Sequence, residues 1–184
     1  MGGSIRSVRR GRDVTAEPPE NTIDLGDPDP LEVARTIVLN KLTNAPRTRA
    51  QLAEVLAERN VPADVAVQAL DRFEEVGLID DREFAVMWVR SRHRGRGLGR
   101  RVLKQELVQR GVNDENVELA LAEIDDDAEY EAALDLVQRR WAAARRLDAA
   151  ARHRRLFGLL MRRGYSPGLA ERVIGEVSAG DHEE

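Results

Sequence analysis

The sequence has no cysteine, few aromatic residues and no long apolar run, and each shortage limits what the protein can be. Without cysteine there are no disulfides, thiolate nucleophiles or cysteine-based metal sites, and the composition fits a reducing compartment. Aromatic residues make up only 4% of the chain, whereas alanine, leucine, glutamate and arginine are abundant. Because these residues favour helix interiors over strands, we expect an all-α protein.

No stretch reaches the roughly 20 consecutive apolar residues that cross a bilayer, and no apolar segment follows the arginines near the N-terminus. Neither export nor membrane insertion is indicated, so a cytoplasmic location is expected. Residues 1–29 contain prolines, glycines and scattered charges without an apolar period, which predicts a flexible tail. Residues 179–184 are expected to form a disordered C-terminal end.

The apolar spacing from Leu31 onward predicts three consecutive helices. The first ends near Pro46, and Thr48 with Gln51 three residues later forms a capping-box signature that opens the second. Pro62 lies in the first turn of the third helix, which ends at Gly77. Residues 30–79 therefore form one three-helix unit.

This unit occurs three times along the chain. The segment 56–61 is echoed by 107–112 and again by 160–165, and each copy ends its helix on Asn60, Gly111 or Gly164. Asn and Gly are the residues that adopt a left-handed helix end at low cost. We predict further units at 80–125 and 126–178, arranged as an elongated, curved array of winged-helix-like trihelical units whose neighbours share a continuous core.

Residues with catalytic or ligand-binding spacing are not found. The segment Gly95–Gly99 lacks the Gly-Lys-Ser/Thr ending of a phosphate-binding loop, and we interpret it as a flexible hinge. The three histidines are isolated from one another and are expected on the solvated surface. The acidic run 125–127 is explained by a helix N-terminus. We predict no enzyme activity, no cofactor and no metal site.

The net charge of −4 conceals a strong segregation of charge along the sequence. A basic segment is followed by an acidic one and then by a second basic segment, and nearly all of the cations are arginines. Arginine is suited to bidentate contacts with carboxylates and phosphates. The residues predicted to contact an acidic or polyanionic partner are Arg90, Arg92, Arg94, Arg96, Arg100, Arg101, Lys104, Arg139, Arg140, Arg145, Arg146, Arg152, Arg154 and Arg155.

The junction of the first two units carries a recognisable order of residues. The string Gly-Leu-Ile-Asp-Asp at 77–81 is followed by Phe84-Ala85, Trp88 and, further on, Arg110-Gly111-Val112. This order resembles the RecX family. The resemblance implies a curved helical protein that binds the RecA recombinase and its filament on single-stranded DNA. It also implies inhibition of the ATPase, strand-exchange and co-protease activities of RecA. A monomer is expected.

Two other interpretations remain open at the level of sequence. The first unit also resembles the core of a helix-turn-helix DNA-binding protein, and the arginine clusters would permit weak, salt-sensitive binding to DNA. The segment after Ile79 keeps helical periodicity, however, where a wing would require strands. An unrelated helical-repeat scaffold is the other possibility, because the repeats alone do not identify a partner.

Overall fold

The computed structural model describes residues 29–180, and every regular element in this range is an α-helix. The helices are α1 (Pro30–Asn44), α2 (Arg49–Glu58), α3 (Ala63–Glu75), α4 (Asp81–Arg96), α5 (Arg100–Val108), α6 (Asp114–Leu121), α7 (Asp126–Ala144), α8 (Ala149–Arg163) and α9 (Pro167–Gly180). The predicted tail lies outside the described residues except for Asp29. Of the predicted disordered end, Ala179 and Gly180 belong to α9, and the rest lies outside the described residues.

Most helices begin at a side chain that accepts a backbone N–H of the first turn, as a capped helix requires. The capping box at Thr48 is confirmed, since its hydroxyl accepts the Gln51 N–H at 3.2 Å while the Gln51 side chain accepts the Thr48 N–H at 3.3 Å. The prediction for the acidic run is also confirmed, because Asp125 accepts from the Ala128 N–H. The other side-chain caps are Asp29, Asp80, Asn113 and Asp148.

The middle helix of each trio ends on a left-handed residue, as the repeat pattern predicted. Asn60, Gly111 and Gly164 have φ angles of 58°, 75° and 91°. A left-handed residue turns the chain sharply away from the helix axis without leaving the last carbonyls unpaired. The three repeated segments therefore share one backbone geometry as well as one sequence pattern.

The helices pack in three groups of three, α1–α3, α4–α6 and α7–α9, and the main helix–helix contacts all lie within a group. The buried side chains divide in the same way into three hydrophobic clusters. The three tandem three-helix units are thus confirmed. The expectation of one continuous core is wrong, because each unit buries its own apolar face and the units meet through other contacts.

The first junction joins the start of α2 to the end of α5. The Thr48 hydroxyl donates to the Arg110 carbonyl at 2.6 Å, and the Arg49 N–H donates to the Asp81 carboxylate at 2.8 Å. The backbone of Gly111 lies so close to α2 that an added Cβ would be 2.3 Å from the Cβ of Ala50. Glycine at position 111 is therefore required both by its φ angle and by the approach of the two units.

The second junction repeats this arrangement one unit further along. Here the start of α5 meets the end of α8, with the Gly99 N–H donating to the Arg163 carbonyl at 2.8 Å. A Cβ on Gly99 would lie 2.7 Å from the Gly164 carbonyl oxygen. The Tyr165 side chain is buried, and its hydroxyl donates to the Gly97 carbonyl at 3.1 Å. Burial raises the pKa of Tyr165 to about 12, so this donor keeps its proton at physiological pH.

These contacts correct the interpretation of Gly95–Gly99 as a flexible hinge. Gly97 ends α4 in the left-handed region with φ 58°, and Gly99 is in direct backbone contact with the third unit. The left-handed conformation explains Gly97 and the close approach of the third unit explains Gly99, whereas Gly95 has open space around it. The segment is a packed junction between units two and three.

Leu107 tests the assignment of the second core, because it is fully buried on α5 while the next residue, Val108, is 49% exposed. Leu107→Ala is expected to lower the free energy of unfolding by about 2 to 5 kcal/mol, as deletion of a buried leucine does. Val108→Ala is the matched control and should change it by no more than about 0.5 kcal/mol. Urea unfolding followed by circular dichroism measures both, and equal effects would show that the core face is misassigned.

Gly111 and Gly77 separate the cost of a left-handed residue from the cost of the junction. Both have positive φ, but a Cβ on Gly77 would meet nothing within 4 Å. Gly77→Ala should therefore cost about 1 kcal/mol for the backbone conformation alone. Gly111→Ala should cost at least about 1 kcal/mol more, because its methyl group overlaps Ala50. Urea unfolding measures both variants, and an equal loss of unfolding free energy would show that the contact with Ala50 does not contribute.

Candidate partner-binding site

An open groove of about 860 Å³ lies between the C-terminal turns of α4 and residues 128–140 of α7. Its walls come from two different units, so the second junction sets its width. The basic residues that line it are Arg94, Arg96, Arg139, Arg140 and Arg163. Three carboxylates, Glu106, Glu131 and Asp135, also line it, and the cations are therefore in excess. This groove is the candidate site for a partner with negative charge.

The end of α4 presents its basic residues through ordinary helix chemistry. The Gly97 N–H donates to the His93 carbonyl at 2.9 Å and closes the helix, and His93, Arg94 and Arg96 occupy the last turn. Cations at a helix C-terminus are favoured by the helix dipole. The expectation of a solvated His93 is wrong, because its ring Nδ1 lies 2.9 Å from the Leu98 carbonyl oxygen and the residue is half-buried.

The groove arginines divide into those that are engaged within the protein and those that are not. Arg139 pairs with Asp135 one turn earlier on α7, and the Arg163 guanidinium donates to the Arg96 carbonyl. The side chains of Arg94, Arg96 and Arg140 are exposed and have no carboxylate partner among residues 29–180. These three are the groove residues best placed to meet a partner.

Several other predicted contact residues bind acceptors within the protein, either in the second unit or across the second junction. Arg90 pairs with Glu123 at 2.5 Å, and Lys104 pairs with Glu118 at 2.5 Å. The Arg101 guanidinium donates to the Met161 carbonyl across the second junction at 2.6 Å. Glu118 also raises the pKa of Lys104.

Arg100 holds the second junction together. Its guanidinium donates to Asp126 at 2.8 Å and to the Ile124 carbonyl, and its backbone N–H donates to Glu129 at 3.0 Å. Arg49 has the same position at the start of the middle helix of the first unit, where it bridges Asp71 and Glu74 of α3. The acidic run that follows α6 thus supplies Asp126 as a partner for Arg100 besides capping α7.

The basic residues of α8 and of the α7–α8 turn lie outside the groove. Arg145, Arg146, Arg154 and Arg155 are exposed, and the Arg152 guanidinium lies 4.8 Å from the ring centroid of Trp141. His153 is 2.8 Å from Glu171 on α9 rather than free in solvent. His182 lies outside the described residues. Trp141 itself is 7% exposed and packs in the third core.

Arg163, Trp88 and Arg110 were not among the contact residues predicted from the sequence. Arg110 and Arg163 immediately precede the left-handed glycines at two repeated helix ends, and both contact α4, Arg110 through the Trp88 ring and Arg163 through the Arg96 carbonyl. The repeat alignment contains this signal, since the same position in the first unit is Arg59. Trp88 is only half-buried and lies under two arginines.

Two further observations bear on the type of site. Among residues 29–180 no group of three His, Asp or Glu side chains is arranged to hold a metal ion. In the same range no helix is both long enough and apolar enough to cross a membrane.

The fold and the groove define a class: a protein of tandem three-helix units with a charged groove between two of them. Family models match all three units, described as the first, second and third three-helix domains of RecX, at residues 34–73, 80–121 and 127–174. The chain belongs to the RecX family.

Relatives named Regulatory protein RecX agree with this assignment. The protein from Streptomyces coelicolor is 47% identical over 176 residues, which is 96% of this chain and 88% of that protein. The protein from Thermobifida fusca is 52% identical over 143 residues, covering 78% of this chain and 77% of that protein. The crystal structure of RecX from Lactobacillus salivarius has the same fold, with a TM-score of 0.77 at 21% identity over 82% of this chain and 98% of that one.

Arg100 and Arg94 distinguish a junction role from a surface role. Arg100→Ala removes contacts to Asp126, Glu129 and Ile124, and the free energy of unfolding should fall by about 1 to 2 kcal/mol after allowance for solvent screening. Arg94→Ala should change it by no more than about 0.5 kcal/mol. Urea unfolding at low and moderate salt measures both. An unchanged stability in Arg100→Ala would contradict its role at the junction.

Proposed function

We propose that the protein is a non-catalytic regulator that binds RecA and its filament on single-stranded DNA and inhibits the ATPase, strand-exchange and co-protease activities of RecA. Membership of the RecX family is the observation that carries the proposal. The relatives carry the name of a regulatory protein, and the resemblance noted in the sequence implies RecA as the partner.

The charge and position of the groove support a protein partner. Arg94, Arg96 and Arg140 are exposed cations without carboxylate partners in the described chain, and acids line the same groove. Alternating charges of this kind match a surface of mixed sign better than the uniform charge of a nucleic-acid backbone. The groove spans two units joined by backbone contacts, so a partner would meet a pre-organised surface.

The direct test is to titrate the purified protein into RecA that is hydrolysing ATP on single-stranded DNA. Inhibition at less than one molecule per RecA protomer supports action on the filament. An unchanged rate at an excess of the protein would contradict the proposal.

A helix-turn-helix type of DNA-binding protein is the alternative function. Gel shifts with single- and double-stranded DNA in the absence of RecA, repeated over a range of salt concentrations, test it. A steep loss of affinity with salt is expected of any binding through phosphates. Tight binding to DNA alone, together with no effect on RecA, would favour this alternative.

A triple variant tests the groove itself. We expect Arg94→Glu, Arg96→Glu and Arg140→Glu together to weaken binding to the RecA filament by on the order of tenfold or more, because three attractive charges become repulsive. The matched control is Arg47→Glu, Arg59→Glu and Arg82→Glu, which makes the same change in net charge on exposed arginines outside the groove. Filament affinity measured by fluorescence anisotropy, with helicity by circular dichroism, gives the answer. Equal losses in both variants would show that only net charge matters.

The four arginines Arg94, Arg96, Arg100 and Arg101 were predicted as one cluster of contact residues, but the structure requires that they be tested separately. Arg100 and Arg101 contact the third unit across the junction, whereas Arg94 and Arg96 line the groove. A variant that reversed all four charges would combine loss of a partner contact with loss of the junction. The triple variant above leaves the junction residues unchanged.

A further inference from the structure

Trp88 lies at the centre of a cluster of charged side chains on the surface of the second unit. The guanidinium carbon of Arg92 is 4.1 Å from a ring centroid of Trp88, and that of Arg110 is 3.8 Å from it. The indole N–H donates to the Glu106 carboxylate at 2.7 Å, and Phe84 stacks on the same indole with ring centroids 5.7 Å apart. Trp88, Arg92, Arg110 and Glu106 are all half-buried, so they are fixed in position and still reachable from solvent.

The charge of this cluster is unbalanced. Two guanidinium groups share one indole, while Glu106 is the one carboxylate that the described chain places against it. Burial lowers the pKa of Arg110, Glu106 acts in the opposite direction, and the nearby charge of Arg92 lowers it further. The two like charges face one carboxylate, and an additional negative charge beside them would reduce their repulsion.

The guanidinium N–H groups of Arg92 are available to a ligand. Arg110 donates to the Glu106 carbonyl at 2.7 Å, but the Arg92 guanidinium has no hydrogen-bond acceptor among residues 29–180. Stacking on an aromatic ring engages the face of a guanidinium and leaves the N–H groups at its edge free to form paired hydrogen bonds. The stack thus restricts the rotamers of Arg92 before any ligand arrives, which lowers the entropy cost of binding.

We propose that Arg92 and Arg110, held over Trp88, form a docking site for one carboxylate side chain of a protein partner. The cluster carries a formal charge of one positive unit, since two arginines face the single acid Glu106. One Asp or Glu side chain would neutralise it. A planar carboxylate also matches the paired N–H groups of a guanidinium edge.

The surroundings favour a carboxylate over the phosphates of a nucleic acid. Glu106 lies inside the cluster, where its carboxylate accepts from the Trp88 indole N–H. A run of phosphates would bring several negative charges beside Glu106, whereas a single carboxylate side chain brings one. Glu106 also lines the groove described above, and Arg92 lies one turn before Arg96 on α4. The docking site therefore borders the groove, so that one partner could occupy both.

Fluorescence of Trp88 tests the proposal without RecA. In the chain with Trp141→Phe, Trp88 is the sole tryptophan, and its emission is recorded during titration with a capped polyglutamate peptide. We expect a saturable change in emission that weakens with added salt. A capped polyglutamine peptide of the same length should give none. The backbone-amide and indole resonances of the unmutated chain provide a second readout, in which the Trp88 indole signal shifts and the Trp141 signal does not.

Conservative variants separate a binding role from a packing role. Arg92→Lys and Arg110→Lys keep the charge but lose the paired hydrogen bonds, and each should weaken peptide binding by about tenfold. The matched control, Arg59→Lys, should leave it unchanged. Unaltered affinity in both cluster variants, or no saturable emission change in the parent chain, would overturn the proposal.

Single-stranded oligothymidine is the competing probe. A change in Trp88 emission at lower concentrations of this DNA than of polyglutamate would assign the cluster to nucleic acid and overturn the carboxylate proposal. None of these titrations contains RecA, so their failure leaves the proposed inhibition of RecA intact. An unchanged ATPase rate of RecA would likewise not contradict the docking site, which would then serve another protein partner.

Discussion

The structure depends on one repeated constraint, the close approach of two backbones where the middle helices of adjacent units meet. Gly111 touches Ala50 at the first junction, and Gly164 touches Gly99 and Val102 at the second. A side chain at either left-handed glycine would push the units apart. Since the hydrophobic clusters are separate, the relative position of the units rests largely on these glycine contacts and on the polar contacts beside them.

The same constraint explains how the arginines are divided between internal and external roles. The middle helix of each of the first two units begins at an arginine. Arg49 binds two carboxylates of α3, and Arg100 binds Asp126 at the second junction. Such residues cannot meet a partner without releasing their internal contacts. Arg94 and Arg96 at the end of α4 and Arg140 on α7 have no carboxylate partner in the described part of the chain, and their side chains are exposed. Density of charge in the sequence therefore overestimates the surface available for binding.

The sequence predicted the fold well because the fold is dominated by local signals. Capping residues such as Thr48 and Asp125, and the left-handed ends at Asn60, Gly111 and Gly164, act within a few residues of their position. The grouping into three units followed from the repeats. The residue bounds proposed for the units stay a prediction.

The contacts that the sequence did not reveal all join residues far apart in the chain. Gly97 and Gly99 were interpreted as part of a flexible hinge because their contacts, with Tyr165 and with Gly164, join positions 65 or more apart and have no periodic signature. The continuous core was inferred by analogy with other repeat arrays, whose units share apolar faces. Here the apolar faces are buried mainly within each trio, and the apolar contact across the second junction is local, as with Ala128 of α7 against the second core.

The site was harder to predict than the fold for a related physical reason. An arginine side chain reaches far enough to contact several elements, and its role depends on which acceptor is nearest. Arg92, Arg94 and Arg100 lie within nine positions of each other, yet one stacks on Trp88, one faces the groove and one binds Asp126. Position along α4 and α5 decides among these outcomes, because each step of one residue rotates the side chain by about 100° around the helix axis.

Because each unit has its own hydrophobic core, the surface between units can carry many charges. Each trio is stabilised by its own buried face, so the exposed helices between junctions are free to carry charge without weakening the core. The groove takes one wall from α4 and the other from α7, and these walls are held at a fixed distance by the contacts of Gly99 and Arg100 with the third unit. A junction made of backbone hydrogen bonds and a buried tyrosine resists small displacements more strongly than one made of long side chains. A partner at this groove would meet a surface that is already ordered, which lowers the entropy cost of binding.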